Sequence, residues 1–295
     1  MAKTIQQAIK ERILVLDGNY KHFIDKYNLK KPDFHKGRFA KHNIELTGFY
    51  DVLNLSRPEL IREINEKYLK AGADIISTHT FGANDYILSK YKLEGKAYEL
   101  NFAAAKIARE LTAKYSIITR SKPRFVFGSI GAIDDTIENQ EQIKAYEQQL
   151  KGLMAGKVDA IWFADFSKKD NLFSAIEALY NILTKRNKVY SVVITLSGEE
   201  QMLSEKFVEE LESKYNDRIK LLAISEVSGN KIILHSEIPA ILFPALVSRG
   251  GTSELIKESA TDIIKKYEPK ILGGCCNNTP EQIETLVKAI KESNA

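Results

Sequence analysis

The sequence predicts a (β/α)₈ barrel, in which eight parallel strands alternate with helices around a closed sheet. Short runs of apolar and β-branched residues alternate with longer stretches of helical periodicity along most of the 295 residues. Most of these runs are continuously apolar rather than alternating, which is typical of strands covered on both faces and therefore of a parallel sheet. A doubly wound open sheet produces the same alternation and remains the alternative, because sequence alone does not reveal whether the sheet closes.

The predicted strands share an apolar or β-branched composition, as in the first of them, which reads ILVLD. In chain order they are Ile13–Asp17, Ala73–Thr80, Arg124–Gly131, Val158–Asp165, Val189–Ser197, Ile219–Ser225, Ile238–Leu246 and Pro269–Gly273.

The predicted helices carry apolar residues at three- and four-residue spacing, the pattern of a helix with one buried face. They are Glu59–Ala71, Tyr98–Tyr115, Glu141–Ala155, Leu172–Leu183, Glu205–Tyr215, Ser253–Tyr267 and Pro280–Lys291. Gly72 is the expected C-cap of the Glu59–Ala71 helix, and the Thr279-Pro280-Glu281-Gln282 segment has the pattern of a capping box with proline at the first helical position. The sixth connection, Val227–Glu237, is too short and too β-branched for a full helix, so the sixth barrel helix is expected to be short or missing.

The composition indicates one soluble globular domain over residues 1–295. It is 44% hydrophobic and 28% charged, with a formal net charge of +4, and no composition break divides it. No apolar run approaches the roughly 18–20 residues of a membrane span, and Met1–Lys10 lacks the apolar stretch of a secretory signal. Acidic residues interrupt the basic ones, which favours a solvated surface over a nucleic-acid site. The two cysteines are adjacent and form no disulfide framework, so we expect a reducing, cytoplasmic location.

Catalytic groups of a parallel barrel lie at the carboxyl ends of its strands. That rule selects Asp17, His79, Thr80, Ser129, Asp165, Ser197, Glu226 and the Cys275-Cys276 pair. The alternative for the pair is two small buried apolar residues, since free cysteine is often buried. Gly273-Gly274 permits close backbone approach, however, and a helix start just beyond the pair would stabilise a thiolate. Thiols together with carboxylates or an imidazole could hold a thiophilic metal.

The segment ILGGCCNNTPEQI, residues 271–283, resembles the GGCCGTTPEHI signature of the zinc-dependent homocysteine S-methyltransferase family. The resemblance covers nearly the whole chain and is greatest to the homocysteine-binding module of cobalamin-dependent methionine synthases. Other matching segments follow in family order at Ile13–Gly18, Leu53–Asn84, Tyr98–Glu110, Phe125–Gly131 and Gly152–Ile161.

The resemblance implies a methyltransferase of methionine biosynthesis in which zinc activates the homocysteine thiol. In the family, three cysteine thiolates hold the metal and the substrate sulfur takes the fourth position. Cys275 and Cys276 match two of those ligands, and Asp17 matches an aspartate that orients the amino acid. The substrate-binding residues expected at this rim are Asp17, Gly18, His79, Ser129 and Asp165.

The chain departs from the family pattern mainly at the catalytic face. Glu226 stands where the family has its third zinc cysteine, which makes it the candidate third ligand, although a simple polar residue at a strand end is an equal alternative. Ala164 aligns with the glutamate that binds the substrate amino group, and His79 replaces a usual asparagine. The loop after Gly18 carries bulky residues in place of small ones.

Three functional hypotheses follow from these observations. The first is a zinc-dependent homocysteine S-methyltransferase whose methyl comes from a small donor or from separate methyl-donor or cobalamin-binding proteins. The second is a catalytically impaired homologue that acts as a partner or regulatory subunit. The third is a barrel with a different small-molecule substrate, shaped by Tyr20, His22, His79 and Asp165. No nucleic-acid or membrane partner is expected.

Overall fold

A computed structural model of the chain describes residues 3–18, 20–134, 136–198, 202–228, 231–234, 240–241, 252–273 and 278–293. The strands in these residues are β1 (Leu14–Leu16), β2 (Ile75–Ser77), β3 (Phe125–Gly131), β4 (Ala160–Phe166), β5 (Tyr190–Gly198), β6 (Ile219–Ser228), β7 (Lys231–Leu234), β8 (Ala240–Ile241) and β9 (Ile271–Gly273). The helices are α1 (Ile5–Glu11), α2 (Tyr20–Asp25), α3 (Lys31–Phe34), α4 (Leu53–Ser56), α5 (Pro58–Ala71), α6 (Asp85–Ser89), α7 (Ala97–Ile118), α8 (Asn139–Ala155), α9 (Lys169–Arg186), α10 (Glu205–Tyr215), α11 (Ser253–Tyr267) and α12 (Pro280–Ser293). Short 3₁₀ turns occupy Gly37–Phe39 and Tyr50–Val52.

The strands form one sheet in the order β7-β6-β5-β4-β3-β2-β1-β9-β8. All neighbouring pairs are parallel except β6 and β7, which are antiparallel. The sheet curls so that β6 approaches β8, with Cα atoms within 8 Å. This curled parallel sheet surrounded by helices confirms the predicted barrel-type α/β fold.

The predicted strands and helices all have counterparts among the described residues. For the seventh strand, predicted over Ile238–Leu246, the described part is β8, and residues 238–239 and 242–246 lie outside the described residues. In the described part of the sixth connection, β7 pairs with β6 in place of a helix, as the short connection predicted.

Helix ends follow the predicted capping signals. Gly72 ends α5 with φ +100, a left-handed conformation that glycine adopts without steric cost. Before α12, the Thr279 backbone N–H donates to the Gln282 side chain at 2.8 Å, and the Gln282 N–H donates to the Thr279 hydroxyl at 3.4 Å. These two bonds form the predicted capping box.

Successive residues along the strands belong alternately to two separate apolar clusters. One cluster joins strand residues such as Val126, Ile161 and Ile194 to the helices, and we call it the outer core. The other, the inner core, holds residues such as Leu16, Phe127 and Trp162 together with Ile5 and Ala8 of α1. Because side chains alternate along a strand, the inner core marks the residues that face the barrel axis.

No helix among the described residues is long and apolar enough to cross a membrane.

Candidate functional site

A buried aspartate, Asp17, lies where β1 and β2 end. Its carboxyl accepts hydrogen bonds from the Ser77 backbone N–H at 2.9 Å and from the Ser77 hydroxyl at 2.8 Å. Asp17 is 2% exposed, and burial raises the pKa of its carboxyl to about 8, while the bonds from Ser77 act in the opposite direction. Asp17 can therefore exchange a proton, or receive a cationic group, near neutral pH.

His79 follows β2 and packs against the ring of Tyr20 from α2. The two rings are stacked, with centroids 3.9 Å apart and planes inclined by 9°. Burial lowers the pKa of His79 to about 3, so the imidazole is neutral at physiological pH. Its Nδ1 atom is buried and has no hydrogen-bond partner among the described residues. A neutral ring with an available nitrogen can bind a polar group of a ligand.

A second buried carboxyl, Asp51, adjoins this stack and was not selected from the sequence. It accepts a hydrogen bond from the Gly82 N–H at 3.1 Å, and burial raises the pKa of its carboxyl to about 7. The pKa of Tyr20 is raised well above its usual value, first by burial and second by the charge of Asp51. Asp51 follows no predicted strand, so the strand-end rule did not apply to it. Its one sequence signal is an acidic residue among the apolar residues of FYDVLNL.

Ser129 lies on the inner face of β3, two residues after the inner-core residue Phe127. Its backbone N–H donates to the Thr78 hydroxyl at 3.0 Å, and its carbonyl accepts a bond from the Thr80 hydroxyl at 2.8 Å. These hydrogen bonds hold the segment that carries His79 against the end of β3.

Asp165 is the extra residue of a β-bulge near the end of β4. The pairing of β4 with β5 shifts between Phe163 and Phe166, and Asp165 has φ +56. Its N–H donates to the Thr195 hydroxyl at 3.1 Å. Regular alternation would turn Asp165 towards the helices, but the bulge leaves its side chain exposed at the strand end.

Gly18 marks a close contact between the end of β1 and the chain after β9. A Cβ atom at Gly18 would lie 2.0 Å from the Asn278 carbonyl oxygen, which also accepts a hydrogen bond from the Tyr68 hydroxyl at 2.7 Å. At the end of β9, Gly273 has φ +117 and a Cβ there would lie 2.4 Å from the Leu16 carbonyl oxygen. Cys275 and Cys276 lie outside the described residues, but Gly273 and Asn278, the nearest described residues on either side of the pair, lie against the end of β1.

Glu226, the candidate third ligand, is 1% exposed near the end of β6. The Met202 N–H donates to its two carboxylate oxygens at 2.8 and 3.0 Å, and the Leu203 N–H donates to Oε2. Within the part of the chain that the structure describes, no group of three or more His, Cys, Asp or Glu side chains could hold a metal ion.

The structure thus brings Asp17, Gly18, His79 and Ser129 together at the carboxyl ends of β1, β2 and β3. Asp165 lies at the end of β4, and Glu226 contacts the segment before α10.

Comparisons with known proteins agree with the fold. The family model described as homocysteine S-methyltransferase matches residues 14–290. The chain is similar to the oxidised form of the Escherichia coli homocysteine methyltransferase MmuM, with 18% identity and a TM-score of 0.66 over 97% of this chain and 99% of that one. It is also similar to the metallated form of the same protein, with 19% identity and a TM-score of 0.65 over 94% and 96% of the two chains.

Proposed function

The chain belongs to the homocysteine S-methyltransferase family, and from this premise we propose that it is an enzyme that transfers a methyl group to the thiol of homocysteine or a closely related small molecule. The family match over residues 14–290 is the observation that carries the proposal, because it spans every strand whose end contributes to the site. A barrel fold alone would not define the reaction.

The metal that suits this reaction is zinc, and the thiolates of Cys275 and Cys276 would hold it. Two adjacent thiols suit zinc, and the flanking residues Gly273 and Asn278 pack against β1 beside Asp17 and Gly18. The similarity to a homocysteine methyltransferase described as metallated supports the presence of a metal site in this fold. When bound, zinc favours the deprotonated form of a substrate thiol near neutral pH.

Asp17 binds the amino group of the substrate. The pKa of about 8 belongs to a carboxyl without a cationic partner, and an ammonium group beside it would lower that value. Asp17 then ionises as the substrate arrives, releases its proton to solvent, and keeps its carboxylate oriented through the bonds from Ser77.

The Tyr20–His79 stack excludes water from the β1–β2 side of the site. The neutral imidazole offers its unpartnered Nδ1 to a polar group of the substrate without adding a charge. Ser129 and Asp165 complete the rim at the ends of β3 and β4.

The methyl group comes from a small donor or from a separate protein that carries it, such as a cobalamin-binding protein. The reducing cytoplasm is the location that suits a site whose chemistry requires two reduced thiols.

Homocysteine binding tests the proposal without knowledge of the donor. The zinc-reconstituted chain should hold one zinc ion and bind homocysteine in calorimetric titration. Cys276→Ala should abolish zinc-dependent binding, and Asp17→Asn should weaken it by about tenfold to a hundredfold, the loss expected for a charge-assisted hydrogen bond. Asp262→Asn, at an exposed position of α11, is the matched control and should bind as the wild type does.

Absence of homocysteine binding in the zinc-loaded wild type would overturn the proposal. That result would favour the impaired homologue acting as a partner or regulatory subunit. Stabilisation by another small molecule in a thermal-shift screen would instead favour a different substrate.

A further inference from the structure

A buried hydroxyl, that of Thr195, holds two groups of β4 at the carboxyl end of the barrel. Thr195 lies on β5 and is 2% exposed. Its hydroxyl accepts the indole N–H of Trp162 at 3.1 Å and the backbone N–H of Asp165 at 3.1 Å. A hydroxyl oxygen has two acceptor positions, and these two donors occupy both of them. Thr195 therefore links the ring of an inner-core residue to the backbone of a residue at the strand end.

The bulge of β4 explains why the Asp165 backbone meets this hydroxyl. Phe163 and Phe166 both belong to the outer core, although they are three residues apart and regular alternation would place them on opposite faces. Their partners on β5 are only two residues apart, so β4 has one extra residue here. Asp165 lies in this extra step, with its N–H bonded to Thr195 and its side chain exposed.

The backbone conformation of Asp165 requires support from its surroundings. Its φ of +56 lies in the left-handed region, which favours glycine and which aspartate adopts more readily than most other residues. Such conformations persist where neighbouring groups hold them, and they are concentrated at functional sites. Bulges beside active sites likewise serve to redirect a side chain. The hydrogen bond to Thr195 supplies part of that support.

We propose that Thr195 is a positioning residue of the site, which holds the β4 bulge so that the carboxylate of Asp165 contacts a polar N–H or O–H group of the bound substrate. The proposal rests on the proposed function, because it assigns Asp165 to the substrate of that reaction. Thr195 acts through Asp165, and the indole of Trp162 is the second group that it holds.

The hydrogen bonds of Thr195 can be observed directly. Trp162 is the only tryptophan of the sequence, so the indole N–H resonance has a single source. Thr195→Val keeps the shape of the side chain but removes the acceptor, and it should shift both this resonance and the Asp165 amide resonance. Thr195→Ser keeps the hydroxyl and should leave both close to their wild-type positions. Thr112→Val is the matched control, because it removes a buried hydroxyl that bonds to the Arg109 carbonyl within α7.

Homocysteine titration of the zinc-reconstituted protein tests whether Thr195 acts through Asp165. Thr195→Val should weaken binding about threefold to tenfold, the loss expected when one hydrogen bond is misplaced, and Thr195→Ser should restore it. Asp165→Asn tolerates the same backbone conformation and removes the charge. Adding Thr195→Val to Asp165→Asn should weaken binding by less than about twofold further, because the carboxylate that Thr195 positions is already absent.

Two results would overturn the proposal. One is wild-type affinity in Thr195→Val. The other is an equal loss from Thr195→Val with and without the Asp165 carboxylate, which would show a purely structural role. If the wild type binds no homocysteine, the proposed function itself fails, and the resonances still decide the role of Thr195. An unchanged Asp165 amide in Thr195→Val then refutes that role, and a shift that Thr195→Ser reverses supports it.

Discussion

Three side chains near the barrel mouth are shifted towards their neutral forms by the same cause. Burial raises the pKa of Asp17 to about 8 and that of Asp51 to about 7, and it lowers the pKa of His79 to about 3. These three side chains therefore carry little charge before a ligand binds. A cationic ligand group would favour the ionised form of a carboxyl beside it, and the resulting attraction would strengthen its binding. Two of the three residues followed from the strand-end rule. Asp51 did not, because it lies in a 3₁₀ turn rather than at a strand end. Its carboxyl accepts a hydrogen bond from Gly82, a residue that is distant from Asp51 in the sequence.

The stack with Tyr20 should keep His79 neutral over the accessible pH range. In Tyr20→Ala, solvent should reach the imidazole, and its pKa should rise from about 3 towards the ordinary 6.5. The His79 resonance in an NMR pH titration should then move between pH 5 and 8, whereas in the wild type it should remain constant there. Tyr20→Phe preserves the stacked ring and should behave as the wild type. Wild-type titration of His79 near pH 6.5 would contradict this account.

At the scale of secondary-structure elements, local sequence signals predicted the strands and helices. Pairing between strands that are distant in sequence determined the backbone geometry and the side-chain orientation at the strand ends. Continuous apolar runs and capping residues suffice for α5, α12 and most strands, because those signals act within a few residues. The β4 bulge and the antiparallel β7 depend on registers with neighbouring strands, which no local pattern encodes. The exposed side chain of Asp165 follows from the register of β4 with β5.

The contact between the end of β1 and the segment after β9 should tolerate no side chain at Gly18. In Gly18→Ala, the added Cβ would lie 2.0 Å from the Asn278 carbonyl oxygen, so the backbone on one side must move. We expect a loss of about 1–3 kcal/mol in the free energy of unfolding, together with weaker zinc binding. Urea denaturation and chelator competition measure the two effects. Gly82→Ala is the matched control, because its Cβ would meet no atom closer than 3.6 Å. Equal losses in the two variants would refute the steric explanation.

Across the whole molecule, the two ends of the barrel carry different kinds of polar group. The alternation of elements predicted the fold class, but no local pattern reveals how far the sheet curls to bring β6 towards β8. At the carboxyl ends, buried groups such as Asp17 and His79 have no ion-pair partner within the described parts of the chain. At the amino ends, Asp74 is surrounded by cations. This division matches the general separation in such barrels between a functional face and a stabilising face.

Asp74 should therefore matter for stability and leave ligand binding unchanged. Its carboxylate accepts two bonds from Arg12 at 2.7 and 3.0 Å, lies 3.3 Å from Lys122 Nζ and 4.0 Å from Arg124, and accepts the Val15 N–H at 3.0 Å. Asp74→Ala leaves these donors uncompensated at the starts of β1, β2 and β3. We expect a loss of about 3 kcal/mol in the free energy of unfolding, at the lower end for a broken buried ion pair because Arg12 and Lys122 keep contact with water.

Urea denaturation measures this loss, and calorimetric titration of the folded protein measures the affinity for homocysteine, which should equal that of the wild type. Asp262→Ala removes an exposed carboxylate and should change neither quantity by more than about 0.5 kcal/mol. A stable Asp74→Ala protein would contradict the stabilising role of this network. A folded variant with weakened homocysteine binding would show instead that the two ends of the barrel are coupled, because β1 and β2 both run from the Asp74 network to the site.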